Sequence, residues 1–127
     1  MKNLESFESA AKSLGIDPAK LPEVAHLPEE FQKSTIAAYK LFIISKASWE
    51  GVKIDWYNWD QYKYYPWFDM SPEEKTVGSS RGFSYHGCGC GGSYSGVASR
   101  LVYPTREIVE YVGNTHIDLY RDFMVID

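Results

Sequence analysis

The chain has 127 residues with 44% hydrophobic content, which is one domain able to bury a core without disulfide staples. Seventeen acidic against 13 basic residues leave a net charge of -4, and the basic residues are scattered, so a general nucleic-acid binder is disfavoured. No stretch approaches the ~18 apolar residues of a membrane span, and the opening MKNLESFESAAKS lacks the apolar run of a secretory signal.

In chain order, Asn3 is a candidate N-cap, after which Leu4, Phe7, Ala11 and Leu14 recur at helical spacing and Gly15 supplies a stop. The spacing predicts a short helix over 4–14. The proline-rich segment IDPAKLPEVAHLP reads as an ordered connector. Pro28, Glu29 and Glu30 then suit the first turn of a second helix over 28–50. Its face is marked by Phe31, Ala38, Leu41, Phe42 and Trp49. The middle, IAAYKLFII, is apolar nearly all round, which predicts cover on more than one side.

From Val52 onward the composition turns aromatic, in VKIDWYNWDQYKYYPWFDM. Tyr, Trp and Phe favour strands, and Pro66 demands an edge position or an end. SPEEKTVGSS reads as a polar turn. RGFSYHG and GVASRLVYP read as two further strands joined by a glycine-rich hairpin tip over 86–96. Thr105 is a candidate N-cap for a last helix over 105–123, in which Ile108, Val112, His116, Leu119 and Phe123 recur and Gly113-Asn114 marks a kink or a split. The expectation is a single α+β domain in the order α-α-β-β-β-α. A small antiparallel sheet of about three strands, aromatic-rich over 56–103, packs on two to three helices.

The glycine segment HGCGCGG gathers His86, Cys88 and Cys90, and three readings compete for it. As zinc ligands these residues lack a second cysteine pair, and a C-x-C spacing is not the usual gap for two thiolates on one ion. As a phosphate loop, Gly87, Gly89 and Gly92 match G-x-G-x-x-G, but a strand pattern follows where a helix should begin. As a hairpin tip, the glycines supply positive φ and tight reversal, and this reading is preferred. Cys88 and Cys90 are too close in sequence for an unstrained disulfide, and two free thiols fit a reducing cytoplasm. A mature secreted fragment is the alternative.

The candidate binding residues are Trp56, Trp59, Tyr62, Tyr64 and Trp67. Exposed, they would anchor a protein partner or stack on a glycan or nucleotide. Buried, they would only fill the core between the sheet and the long helix. Asp55, Asp60 and Asp69 select no acid–base partner by spacing, Cys88 and His86 sit where precise chemistry is poorly held, and no cofactor motif is present.

Four stretches, LGIDPAKLPEV, YKYYPWFDM, SRLVYPTREIVEYVG and DLYRDFMVI, resemble a family of short proteins encoded by phages and prophages of gut anaerobic bacteria. The resemblance covers most of the chain and carries no catalytic motif. It implies a viral or mobile-element protein, acting in the virion or in the host cytoplasm. The expected function is that of a non-enzymatic accessory protein bound to a protein partner, with self-association as one form. Small-ligand binding and zinc at the His-Cys-Cys segment are the alternatives.

Overall fold

The computed structural model describes residues 1–71 and 83–126. Four helices and two strands follow in the order α1 (Phe7–Ser13), α2 (Glu29–Ser48), β1 (Lys63–Asp69), β2 (Ser84–Gly91), α3 (Arg106–Thr115) and α4 (Ile117–Met124). Short 3-10 turns lie at Lys2–Leu4 and Ser95–Val97. The class is α+β, as expected. The predicted third strand is absent among the described residues, and the sheet has two antiparallel strands.

Local chemistry explains each boundary. Helix α1 begins at Ser6, not Asn3, because Ser6 and Ser9 cap one another's backbone amides at 3.0 and 3.2 Å. Asn3 instead donates to the Ala47 carbonyl of α2. Gly15 and Gly51 close the first two helices with left-handed backbone, at φ +72° and +80°. Helix α2 buries Ala37, Leu41, Ile43, Ile44, Ser45, Ala47 and Ser48, and Trp49 just after it; Phe31 and Phe42 are exposed, which corrects the predicted face at those two positions. Thr105 caps α3 through the Ile108 amide, as expected. The last helix is split at His116, whose backbone (φ -109°, ψ 31°) turns α4 away from α3.

The lost strand has a specific cause. Ala98 and Ser99 take positive φ (66° and 26°) and turn the chain. The Val102 carbonyl is then taken by the Ser45 hydroxyl at 2.7 Å and the Trp49 indole N–H at 3.0 Å, so no strand can use it. Only Tyr103 pairs, exchanging both backbone bonds with Tyr64. That exchange fixes which way β1 presents its backbone groups: even-numbered residues face the Tyr103 side and odd-numbered ones face β2. Pro66 therefore has no ladder bond to lose, and β1 runs through it to Asp69.

The predicted hairpin tip at 86–96 is also corrected, because its first half is strand. Register pairs Lys63 with Gly91, Tyr65 with Gly89 and Trp67 with Gly87. A Cβ on Gly89 would come within 2.7 Å of the Tyr65 ring, and one on Gly91 within 2.9 Å of Val97. These two positions stay glycine so that bulky neighbours can lie on the strand. All of the expected polar turn SPEEKTVGSS after Ser71, and the first two residues of RGFSYHG, lie outside the described residues.

The main core is built by Leu4, Phe7, Ala10 and Ala11 from the N-terminal region, Leu41 and Ile44 of α2, Val109 and Val112 of α3, Tyr120 of α4, and Phe83 and Tyr103. Helix α2 packs on α1 and α4, and α3 covers the sheet. Phe68 reaches between the layers, stacked on Phe83 at 4.8 Å and tilted on Tyr120 at 4.7 Å. A smaller cluster of Trp49, Val97 and Val102, with Ile54 and Tyr65 against it, lies on the other face of the sheet.

Candidate binding site

Two neighbouring features form the site: an aromatic loop before β1, and a cleft beside it. The loop is stiffened from within. Lys63, fully buried at the start of β1, donates from Nζ to the Asp55 carbonyl at 2.9 Å and the Asn58 carbonyl at 3.2 Å. The same ammonium lies 4.9 Å from the Trp56 ring centre. Gln61 closes the loop by accepting from the Asp55 amide at 2.7 Å and donating to the Lys53 carbonyl at 3.1 Å. The Asp55 carboxylate accepts from the Tyr57 amide, and Asn58 accepts from the Asp60 amide. From outside, the Ser93 hydroxyl holds the Trp56 carbonyl at 2.6 Å. Trp59 packs edge-on against Tyr94 at 4.9 Å and so close over Gly92 that a Cβ there would meet its ring at 2.8 Å.

This scaffold leaves the rings in water. Trp56, Trp59 and Trp67 are 37%, 51% and 51% exposed, and Tyr57 is 97% exposed. Tyr62, next to β1, and Tyr94 are exposed as well. Trp56 and Trp59 share the loop, and Trp67 stands further along β1 opposite Gly87. Tyr64 departs from the expected set: its ring packs on the main core, on the opposite face of β1 from Trp67.

The cleft holds about 700 Å³ between the C-terminal half of α2, the end of α1, the 51–56 segment and the Ser99–Arg100 turn. Phe42, Trp49, Val52, Ile54 and Trp56 supply apolar walls, and Lys46, Lys53 and Arg100 supply charge. Lys46, Lys53 and Arg100 escaped the sequence reading because nothing in periodicity joins positions so far apart. The sole sequence cue was a cation set beside apolar neighbours in VKID and SRLV, which is too common to single out.

His86, Cys88 and Cys90 do not converge. A register shift between Trp67 and Phe68 leaves His86 unpaired and exposed, Cys90 is exposed, and Cys88 turns to the core side. There the Arg106 guanidinium donates to the Cys88 sulfur at 3.3 Å. Burial, followed by the Cys88 thiol alongside, pushes the Tyr85 phenol up to about 12, so it stays neutral. Among the described residues no group of three His, Cys, Asp or Glu side chains is placed to hold a metal ion. The Asp55 and Asp69 carboxylates cap backbone amides of Tyr57 and Ser71, so they are committed to turns. His116 is a buried structural residue, its Nε2 2.7 Å from the Leu4 carbonyl.

The chain matches no family model, and no curated protein and no solved structure is significantly similar to it. No helix among the described residues is long and apolar enough to cross a membrane.

Proposed function

We propose that the protein is a non-enzymatic accessory protein that works by binding a protein partner, with the aromatic loop and the outer face of β1 as the contact surface. A phage or prophage setting is part of this proposal and rests on the resemblance of the four sequence stretches alone. The single observation that carries the binding reading is the exposure of Tyr57, Trp59, Tyr62 and Trp67 on a loop and strand otherwise tightly bonded. Tyr and Trp anchors of this kind dominate protein interfaces, and a rigid presentation lowers the ordering cost of association. None of these four rings lines the cleft, so they are arranged for a broad surface and not for a small molecule. The net charge of -4 makes a protein the better partner than a nucleic acid.

A photoreactive benzophenone amino acid in place of Tyr57 tests this in cells. A single defined crosslinked species is expected, either a second copy of the chain or one other protein, and it should disappear when Tyr62→Ser and Trp67→Ser are added. Absence of any discrete product, with the purified protein strictly monomeric in sedimentation, would end the proposal.

A further inference from the structure

The charged lining of the cleft is wholly basic: Lys46, Lys53 and Arg100, with no Asp or Glu among the lining residues. This is against the balance of a chain with four more negative than positive charges. Among the described residues none of the three is paired with a carboxylate. Three positive side chains lining one concavity make it a place that favours an anion. The C-terminus of α2 also faces this region, but its dipole amounts to roughly half a negative charge, outweighed by three full positive ones.

The walls define the rest of the ligand. Phe42 and Trp56 offer partly exposed flat rings in front of the buried Trp49, and Val52 beside them is exposed on a surface that burial would favour. Trp49 is fixed by its indole bond to Val102, and Trp56 is held by Lys63 and Ser93, so the walls are already in place. The rim is strained. Glu50 (φ 47°), Ala98 (φ 66°) and Ser99 (φ 26°) are the non-glycine positive-φ positions among the described residues, and all three flank the cleft or line it. Such strain persists where surrounding structure imposes it, most often at ligand sites. A volume of about 700 Å³ is within the usual range for a small-molecule site.

We infer that this cleft binds a small phosphorylated molecule with a planar ring system, the chemistry of a nucleotide. The rings of Phe42 and Trp56 take the flat part, and Lys46, Lys53 and Arg100 take the phosphates. More than one cation favours a multiply charged group over a single carboxylate. The site is separate from the surface of Tyr57, Trp59, Tyr62 and Trp67, so each proposal stands or fails without the other.

The test is calorimetric titration of the full chain with adenosine and guanosine triphosphates, the two nucleosides, inorganic phosphate and oleate. At least one triphosphate should bind with a one-to-one endpoint, at least tenfold more tightly than its nucleoside or phosphate alone. Affinity should fall with added salt. Lys53→Ala and Arg100→Ala should each weaken binding about tenfold or more with melting temperatures unchanged, since both side chains are exposed. Trp56→Ala should weaken triphosphate binding about tenfold or more. No saturable binding of either triphosphate at millimolar concentration would overturn the inference. So would binding indifferent to Lys53 and Arg100, or tighter binding of oleate than of any nucleotide.

Discussion

Tyr103 and Tyr120 are fully buried, and their hydroxyl oxygens stand 2.7 Å apart, each the other's sole hydrogen-bond partner among the described residues. One hydroxyl donates to the other, and the pair satisfies itself in an apolar core. Replacing either with Phe removes one hydroxyl and strands the other, at a cost of about 1–2 kcal/mol. For a chain of this length about 1 kcal/mol shifts the Tm by roughly 4 °C, so each single variant should melt about 6 °C lower. The double variant removes both polar groups together and should lie within about 2 °C of the unaltered protein. The two changes are thus expected to couple by about 2–3 kcal/mol, far beyond ordinary additivity. Calorimetric melting of the four proteins measures this directly. Burial raises both phenols well above their ordinary value. The unfolded chain therefore ionises first as pH climbs past about 10, and stability falls from there upward. The double Phe variant should lose that part of the alkaline decline. If the double variant melted lower by the sum of the two singles, the reasoning would be wrong.

Three further outcomes are expected. Burial lowers the His116 pKa, so the neutral ring is the folded form; stability should be complete above pH 6.5 and decline as pH falls from there towards the folded pKa. Urea midpoints between pH 5 and 7 should slope for the unaltered protein and flatten for His116→Gln. Gly113→Ala sets a helix gain of about 1 kcal/mol against a Cβ at 2.6 and 2.8 Å from the Tyr85 ring. Tyr85 is also set edge-on to Phe68, so overpacking of about 1–3 kcal/mol should win and the Tm should drop; a rise would show that the ring yields freely. Lys63→Met removes two charge-assisted bonds, and a loss of about 2 kcal/mol is expected after the recovered desolvation cost. Hydrogen exchange at the Tyr57, Asp60 and Gln61 amides should accelerate, and unchanged protection would refute the lock.

The helices were legible wherever a local signal fixes an end. Gly15, Pro28, Gly51 and Thr105 sit where capping chemistry puts them, and Gly113-Asn114 marked the neighbourhood of the split at His116. The start of α1 was missed locally, since the Ser6–Ser9 capping pair and not Asn3 sets it; the other failures were non-local. LVY reads as a strand from its side chains, but the Val102 carbonyl is claimed by Ser45 and Trp49 from a helix more than fifty residues earlier. The glycines of β2 read as a flexible tip because the Tyr65 ring and Val97 that need the space come from other segments. Phe42 reads as core by spacing, yet it stands on the rim of the cleft. The ring-rich segment was visible as composition, whereas its exposure depends on a buried lysine that no pattern distinguishes from a solvated one. The basic lining of the cleft comes from α2, the 51–56 segment and the Ser99–Arg100 turn, and only the fold assembles it.

The bond from His116 to the Leu4 carbonyl spans 112 residues of chain. It sits where α1 and the 3-10 turn before it meet α2, and α2 in turn packs on α4. During synthesis the first two helices leave the ribosome long before α4 exists to cover them. Leu41, Ile44 and the N-terminal apolar residues must then wait uncovered, or in borrowed company, until Tyr120 arrives. A protein joined early-to-late in this way completes its core only after α4 has emerged, and a nascent chain stalled before that point should be a ready client for chaperones.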